Sequence, residues 1–318
     1  MQTENPVLAI LCSDIHFTHT LPIARANEPD WYAAQLRYIE EIESISRMHD
    51  NVPILCAGDL FDKWNSPAEL INFVLDSIRQ KWYTIPGQHD TPYHAPGRLK
   101  DTAYWTCVMA QKFNHIKNGD SIFLFSDAHT PRLRVTACHW EMTIPPVPEK
   151  YRGRREDTLN VLLCHRYVWA TDRNSYPGAS ESERVRGMAE VLSGYEVALF
   201  GDNHKSFLWK TGNCWVWNNG CVIPRKSDER DYGVNVGLLR FDGTVDIHKL
   251  DTSKDLWISN GTILKAAEEN IVLQSDFIKI LKEVETKRLD FRDLINVYTK
   301  KHDVPVPVSR ILEDSLDR

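Results

Sequence analysis

The amino-acid sequence predicts an α/β fold, and three observations carry the prediction. Short continuous apolar runs, Val7–Cys12, Ile54–Ala57, Asn160–Cys164 and Val197–Phe200, read as strands buried on both faces. The stretches between the early runs place apolar residues at helical spacing, which makes β-α-β units. Each run ends in a cluster of carboxylate, imidazole or amide side chains, at the place where open α/β sheets bind their ligands.

In chain order, Val7–Cys12 leads into Ser13-Asp14-Ile15-His16, and Asp-x-His puts two ligand-capable side chains on one side of an extended segment. Trp31, Leu36, Ile39, Ile42 and Ile45 mark a helix over about 30–48. The run at Ile54 is closed by Gly58, which lets the backbone turn so that Asp59 sits just past the strand end. Pro67 opens a second helix (Leu70, Ile71, Val74, Leu75, Ile78), and Trp82–Ile85 is a third strand closed by Pro86-Gly87-Gln88-His89-Asp90. A helix is expected over Ala103–Phe113, then strands at Ile122–Phe125 and Leu133–Cys138, with Pro145-Pro146-Val147-Pro148 an extended connector. Asn160–Cys164 ends in His165, and Val197–Phe200 ends in Gly201-Asp202-Asn203-His204. From Phe207 to Leu250, short alternating strands with turns predict a separate antiparallel sheet. Beyond Ile263 the spacing turns helical, with Asp290 a candidate N-cap and Pro305 and Pro307 as breaks.

Composition narrows the class. The 318-residue chain, 42% hydrophobic, is long enough to bury a large core, and no run of about 18 apolar residues exists to span a bilayer. Its N-terminus lacks the build of a signal peptide, so a cytoplasmic protein with no membrane partner is expected. Seven cysteines without a CxxC, three of them inside buried runs, predict free thiols and no structural zinc. A net charge of −6 argues against holding nucleic acid by bulk electrostatics, although Lys150-Tyr151-Arg152-Gly153-Arg154-Arg155 is a small basic island.

The strand-end groups are Asp14, His16, Asp59, Gln88, His89, His165, Asp202 and His204. Taken alone, Gly58-Asp59 is ordinary turn chemistry, but five strands with five such endings are not. Carboxylate, imidazole and amide without thiolate suit Mn²⁺, Fe or Zn²⁺, and the ligands outnumber what one ion needs, so two divalent ions are implied, Mn²⁺ foremost. A pair about 3.5 to 4 Å apart can clamp a phosphoryl group. The plainer reading of Trp209, Trp215 and Trp217 is core packing; the other is a base-stacking platform. His19, His94, His115, His129 and His139 read as surface or structural residues, though His129 or His139 could line a groove.

Asp14-x-His16, Gly58-Asp59-x-x-Asp62, Gly87-Gln88-His89-Asp90, His165 after its apolar strand and Gly201-x-x-His204 together resemble the five motifs of the calcineurin-like metallophosphoesterases, over roughly residues 7–250. The resemblance implies a four-layer α-β-β-α sandwich of two mixed sheets with a helical C-terminal extension. It makes Asp14, His16 and His204 ligands of one ion, Gln88, His165 and Asp202 ligands of the other, and Asp59 their bridge. His89 becomes the catalytic imidazole, oriented by the carboxylate of Asp62. Gln88 stands where the family has Asn, and Asp202 where it has His, which would make the second site harder and more oxygen-rich.

Within the superfamily the Gly-Asp-Leu-Phe-Asp form of the second motif and the Trp31/Gln35 helix are similar to SbcD-type DNA repair exonucleases. That branch implies a DNA substrate and an SbcC-like coiled-coil ATPase partner, with a homodimer also open. A small-molecule phosphodiesterase or phosphatase, and a non-catalytic scaffold, are the rival readings. Residues 1–250 are expected to form the catalytic domain, and 251–318 a helical segment that docks on a partner or packs on the sheet's flank.

Overall fold

Alternation along the strands decides the layering. In β7 (Leu159–His165), Leu159, Val161 and Leu163 enter one apolar cluster while Leu162 and Cys164 enter another, so the strand is buried on both faces. The same division holds in β1 (Val7–Cys12), where Leu8 and Leu11 face the first cluster and Ile10 and Cys12 face a third beneath the helices. A computed structural model describes residues 5–124, 133–153 and 158–258. The helices expected beyond Ile263, His129, Phe125 and the Arg154-Arg155 end of the basic run lie outside the described residues.

Two six-stranded mixed sheets carry the fold. The first has the order β12 (Val245–Lys249), β11 (Asn235–Arg240), β1, β2 (Ile54–Cys56), β3 (Trp82–Thr84), β4 (Phe113–His115). The second has the order β5 (Ser121–Leu124), β6 (Leu133–Cys138), β7, β8 (Val197–Gly201), β10 (Cys214–Asn218), β9 (Phe207–Thr211). Leu11, Leu55 and Ile85 from the first sheet meet Val135, Leu163, Leu199 and Trp217 from the second, forming the core between the sheets. The outer face of the first sheet is covered by α1 (Trp31–Met48), α2 (Ala68–Ser77) and α3 (Ala103–Met109). The outer face of the second is covered by Ile144, Val147, Val185, Met188, Leu192 and Tyr195, most of them in irregular chain, with Val185 in a 3₁₀ segment and Leu192 in a turn.

Two sequence expectations are corrected. The strands between Phe207 and Leu250 form no sheet of their own: β10 joins β8 in parallel and carries β9 at one edge, while β11 joins β1 antiparallel and carries β12 at another. Alternation detects strands but not their partners, and here the chain changes sheets between β10 and β11. The helix expected through Phe113 stops at Met109, and Phe113–His115 pairs with β3 as an edge strand too short for period-two alternation to register.

α1 starts at Asp30, whose side chain accepts the Ala33 N–H at 3.0 Å, and it buries Trp31, Ala34, Tyr38, Ile39, Ile42 and Ile45. Gln35 and Trp31 also reach back to the chain beyond His16: both donate to Thr18 O at 3.0 Å, and Gln35 Oε1 accepts from Thr18 N at 2.9 Å. The helix thus anchors a loop as well as a core. All seven cysteines are free and buried. No helix among the described residues is long and apolar enough to cross a membrane. The first compact unit runs from Met1 to Ile258 and so includes residues 251–258.

Candidate metal centre

Parallel register brings the polar strand ends abreast. Cys12 pairs with Cys56 and Cys56 with Thr84 in the first sheet, while His165 pairs with Gly201 in the second. The loops that follow β1 and β2 are then zipped together by main-chain bonds, Asp14 N to Gly58 O at 3.0 Å, His16 N to Asp59 O at 2.9 Å and Phe17 N to Leu60 O at 2.8 Å. This fixes Asp14, His16 and Asp59 against one another. All three, and Asp202, hold left-handed backbone, with φ of 53°, 53°, 51° and 84°. Two glycines are required by the close approach of these loops. A Cβ on Gly58 would lie 2.6 Å from His165 Nδ1, and one on Gly87 would fall on the Asp59 carboxylate, 2.5 Å from Asp59 N.

The geometry gathers the expected residues around Asp59. His16 Nε2 lies 3.0 Å from His204 Nε2 and 3.8 Å from Asp14 Oδ1, and His204 Nε2 is likewise 3.8 Å from Asp14 Oδ1. Asp59 Oδ2 stands 3.7 Å from His16 Nε2 on one side and 3.4 Å from His165 Nε2 on the other. Asp59 Oδ1 accepts the His89 N–H at 2.9 Å. Asp202 N donates to Asp14 Oδ1 at 3.0 Å, and Gln88 Nε2 donates to Asp202 Oδ1 at 2.8 Å, so the two residues that depart from the family pattern touch each other.

The donor set fits divalent ions. Asp59 Oδ2 and His165 Nε2 are buried and have no hydrogen-bond partner, an arrangement that costs free energy unless a cation meets them. His165 Nδ1–H donates to Ala57 O at 2.6 Å, which turns Nε2 toward Asp59. Charge balance points the same way. Burial works against a charged His165, yet Asp59, Asp14 and Asp202 outweigh it and push the imidazole up to about 10. Burial raises Asp14 to about 6 against the pull of His165 and His204. The carboxylates call for positive charge at this point.

One expected contact takes another form. His89 Nδ1–H donates to the main-chain carbonyl of Asp62 at 2.8 Å, so the backbone fixes its tautomer. The Asp62 carboxylate is engaged by the Arg225 guanidinium and stands 3.9 Å from His16 Nδ1. The Gly-Asp-x-x-Asp spacing brought Asp62 to the right place, but it could not disclose a cation arriving from residue 225. Trp217 is buried between the sheets, Trp215 packs beside it and Trp209 packs on the outer cluster, as the core reading expects. His115 accepts or donates at 2.8 Å with Tyr104 OH, and His139 donates to Ile116 O at 2.8 Å, so both have structural partners.

Sequence reasoning placed Asp90 in a motif without a role and missed Glu229 and Arg225. Asp90 is buried and accepts N–H groups from Gly87, Leu60 and Phe61 at 2.9, 3.2 and 2.9 Å, clamping two ligand loops together. Glu229 accepts His204 Nδ1–H at 2.8 Å and the main-chain N–H groups of Arg225 and Lys226 at 2.6 and 2.9 Å. Burial opposes ionisation of Glu229, but the His204 hydrogen bond leads the contacts that hold it at about 2. A glutamate in the charged run Asp228-Glu229-Arg230-Asp231 carries no signal that separates it from a solvated turn.

In comparison with known families, the Calcineurin-like phosphoesterase profile matches residues 9–206. The chain belongs to that family and is a metallophosphoesterase hydrolase whose family uses divalent metals. No curated protein matches it. Among solved structures it is similar to the protein TT1561 of Thermus thermophilus, at 12% identity and TM-score 0.44 over 76% of this chain and 98% of that one. It is also similar to a novel archaeal phosphodiesterase, at 14% identity and TM-score 0.35 over 79% and 96%. A third similar structure is the Thermus thermophilus sulfate thiohydrolase SoxB, at 11% identity and TM-score 0.46 over 85% of this chain and 61% of that one.

Proposed function

We propose that the protein is a two-metal phosphodiesterase acting on DNA, a nuclease of the SbcD type. The observation that carries the two-metal part is Asp59 Oδ2, buried without a hydrogen-bond partner between His16 Nε2 and His165 Nε2 at 3.7 and 3.4 Å. Asp14, His16 and His204 would hold one ion with Asp59, and Gln88, His165 and Asp202 the other. The Gln88 amide nitrogen is committed to Asp202, so Oε1 is the end that serves as ligand. When bound, two divalent ions supply Lewis acidity and an activated water for attack at phosphorus. Ala57 O and Glu229 fix the rings of His165 and His204. His89, held by Asp62 O, presents its other ring nitrogen as the group that stabilises the developing charge or protonates the leaving oxygen.

The DNA substrate rests on the Gly58–Asp62 motif and the Trp31/Gln35 helix, whose clamp on Thr18 sets the loop carrying His16. The apolar spacing beyond Ile263 supplies the docking element for an SbcC-like ATPase. The acidic balance of the chain, −6, favours the second reading, a phosphodiesterase of small molecules. Cleavage assays with Mn²⁺ on linear single- and double-stranded DNA beside a chromogenic bis-ester decide between them. The nuclease reading expects DNA to be cut with the higher kcat/KM; turnover of the bis-ester with intact DNA contradicts it.

A further inference from the structure

A buried ion network, Arg25 with both Glu28 and Asp255, ties the tail of the first unit to the chain that precedes α1. Residues Asp251–Ile258 run back along α1, fastened by Asp251 N to the Glu41 carboxylate at 3.0 and 3.1 Å, Leu256 N to Glu28 Oε1 at 2.9 Å, Asn27 Nδ2 to Trp257 O at 2.9 Å and Ile258 N to Ala24 O at 3.0 Å. Within this strap the Asp255 side chain is 2% exposed; it accepts Arg25 Nη2–H at 2.8 Å through Oδ1 and the Tyr38 hydroxyl through Oδ2. Arg25 is itself fully buried, with its guanidinium 4.7 Å from the Trp257 ring and 5.4 Å from the Trp31 ring. Burying a guanidinium costs free energy that well-packed apolar side chains would not, so the network is weak evidence of added stability.

Arg25 Nη1–H donates to Pro224 O at 2.9 Å. Arg225, the next residue, donates its main-chain N–H to Glu229 at 2.6 Å and its guanidinium to Asp62. Glu229 in turn holds His204 Nδ1 at 2.8 Å. The loop from Asn219 to Asp228 has no strand or helix of its own; one main-chain bond, Val222 N to Asp14 O at 3.1 Å, and side-chain contacts hold it. Asp255, Arg25, Pro224–Arg225, Glu229 and His204 therefore form one connected series of buried polar contacts.

We propose that the 251–258 strap is part of the metal centre's framework, with Asp255 a positioning residue that acts through Arg25 and the 224–229 loop on His204. The proposal rests on the two-metal reading of the site and adds to it that the ion at Asp14, His16 and His204 depends on the strap while the ion at His165 does not.

The test is calorimetric titration of the full chain with Mn²⁺, comparing wild type, Asp255→Asn, Trp257→Leu and Glu41→Gln, each first shown to melt cooperatively without metal. Trp257→Leu removes the ring over Arg25 with no change of charge, so it serves if Asp255→Asn does not fold. Glu41→Gln alters the strap at a point that does not touch Arg25 and keeps an acceptor for Asp251 N, so it serves as the control. We expect one of the two ions to bind about tenfold more weakly in Asp255→Asn or Trp257→Leu, the low end of what loss of an outer partner costs, with the second ion and the Glu41→Gln protein unchanged. Wild-type affinities in both Arg25-directed variants, or equal weakening of both ions in all three, overturn the positioning role and leave the two-metal reading standing. A wild-type chain that binds no Mn²⁺ overturns both.

Discussion

Asp14, His16, Asp59 and Asp202 hold left-handed backbone at φ of 53°, 53°, 51° and 84°, and a non-glycine residue there costs on the order of 1 kcal/mol or more. Main-chain bonds between the loops offset that cost and leave four side chains converging where ordinary turns would disperse them. The outer partners then set which atom each ring presents. Glu229 directs His204 Nε2 inward, as Ala57 O does for His165. Glu229→Gln keeps an acceptor and removes the charge that favours this tautomer; affinity for one Mn²⁺ should fall about 10- to 100-fold in a calorimetric titration, with the metal-free melting temperature little changed. Unchanged affinity would make Glu229 a loop anchor only.

At the scale of elements, the strands that end at the candidate metal centre were legible and the residues that support those ends were not. β1, β2, β7 and β8 announce themselves as apolar runs ended by Asp59, His165 and the other polar residues, because a strand buried on both faces leaves no ambiguity of period. β4 and the sheet change between β10 and β11 left no trace, since pairing depends on chain positions far apart. Glu229 and Arg225 sit in irregular backbone where no periodicity operates, and their roles follow from contacts with His204 and Asp62 that span 25 and 163 positions. The tryptophans test the layering. Trp217 is buried between the sheets, so Trp217→Ala should cost about 3–5 kcal/mol in denaturant unfolding. A stacking platform would instead lose nucleic-acid affinity at unchanged stability.

For the whole molecule, acid should act through more than the metal ligands. His115, wedged between Tyr104, Trp105 and His139, is lowered from 6.5 to about 4, first by burial and then by His139 and Lys117. Its folded pKa lies below its unfolded one, so between 6.5 and about 4 the unfolded chain binds the extra proton and stability falls as pH falls; above 6.5 the contribution is fully present. Melting temperatures of the metal-free protein should drop across that window, and His115→Gln should flatten part of the drop. Residues 251–258 leave no signal in the sequence because they have neither helical nor strand periodicity and are held by scattered side-chain and main-chain contacts. A charged residue such as Asp255 in a polar tail reads as solvent-facing until Arg25 is found beneath it.

The central claim is that Asp59 joins two ions into one site, and metal stoichiometry measured together with phosphodiester cleavage in Asp59→Asn tests it most directly. The wild-type chain should bind two Mn²⁺ and cleave. The folded Asp59→Asn protein should bind at most one of them tightly and lose cleavage by about 10³-fold or more, as expected when a group central to transition-state stabilisation is removed. A folded Asp59→Asn protein that still binds two ions and cleaves at the wild-type rate would contradict it.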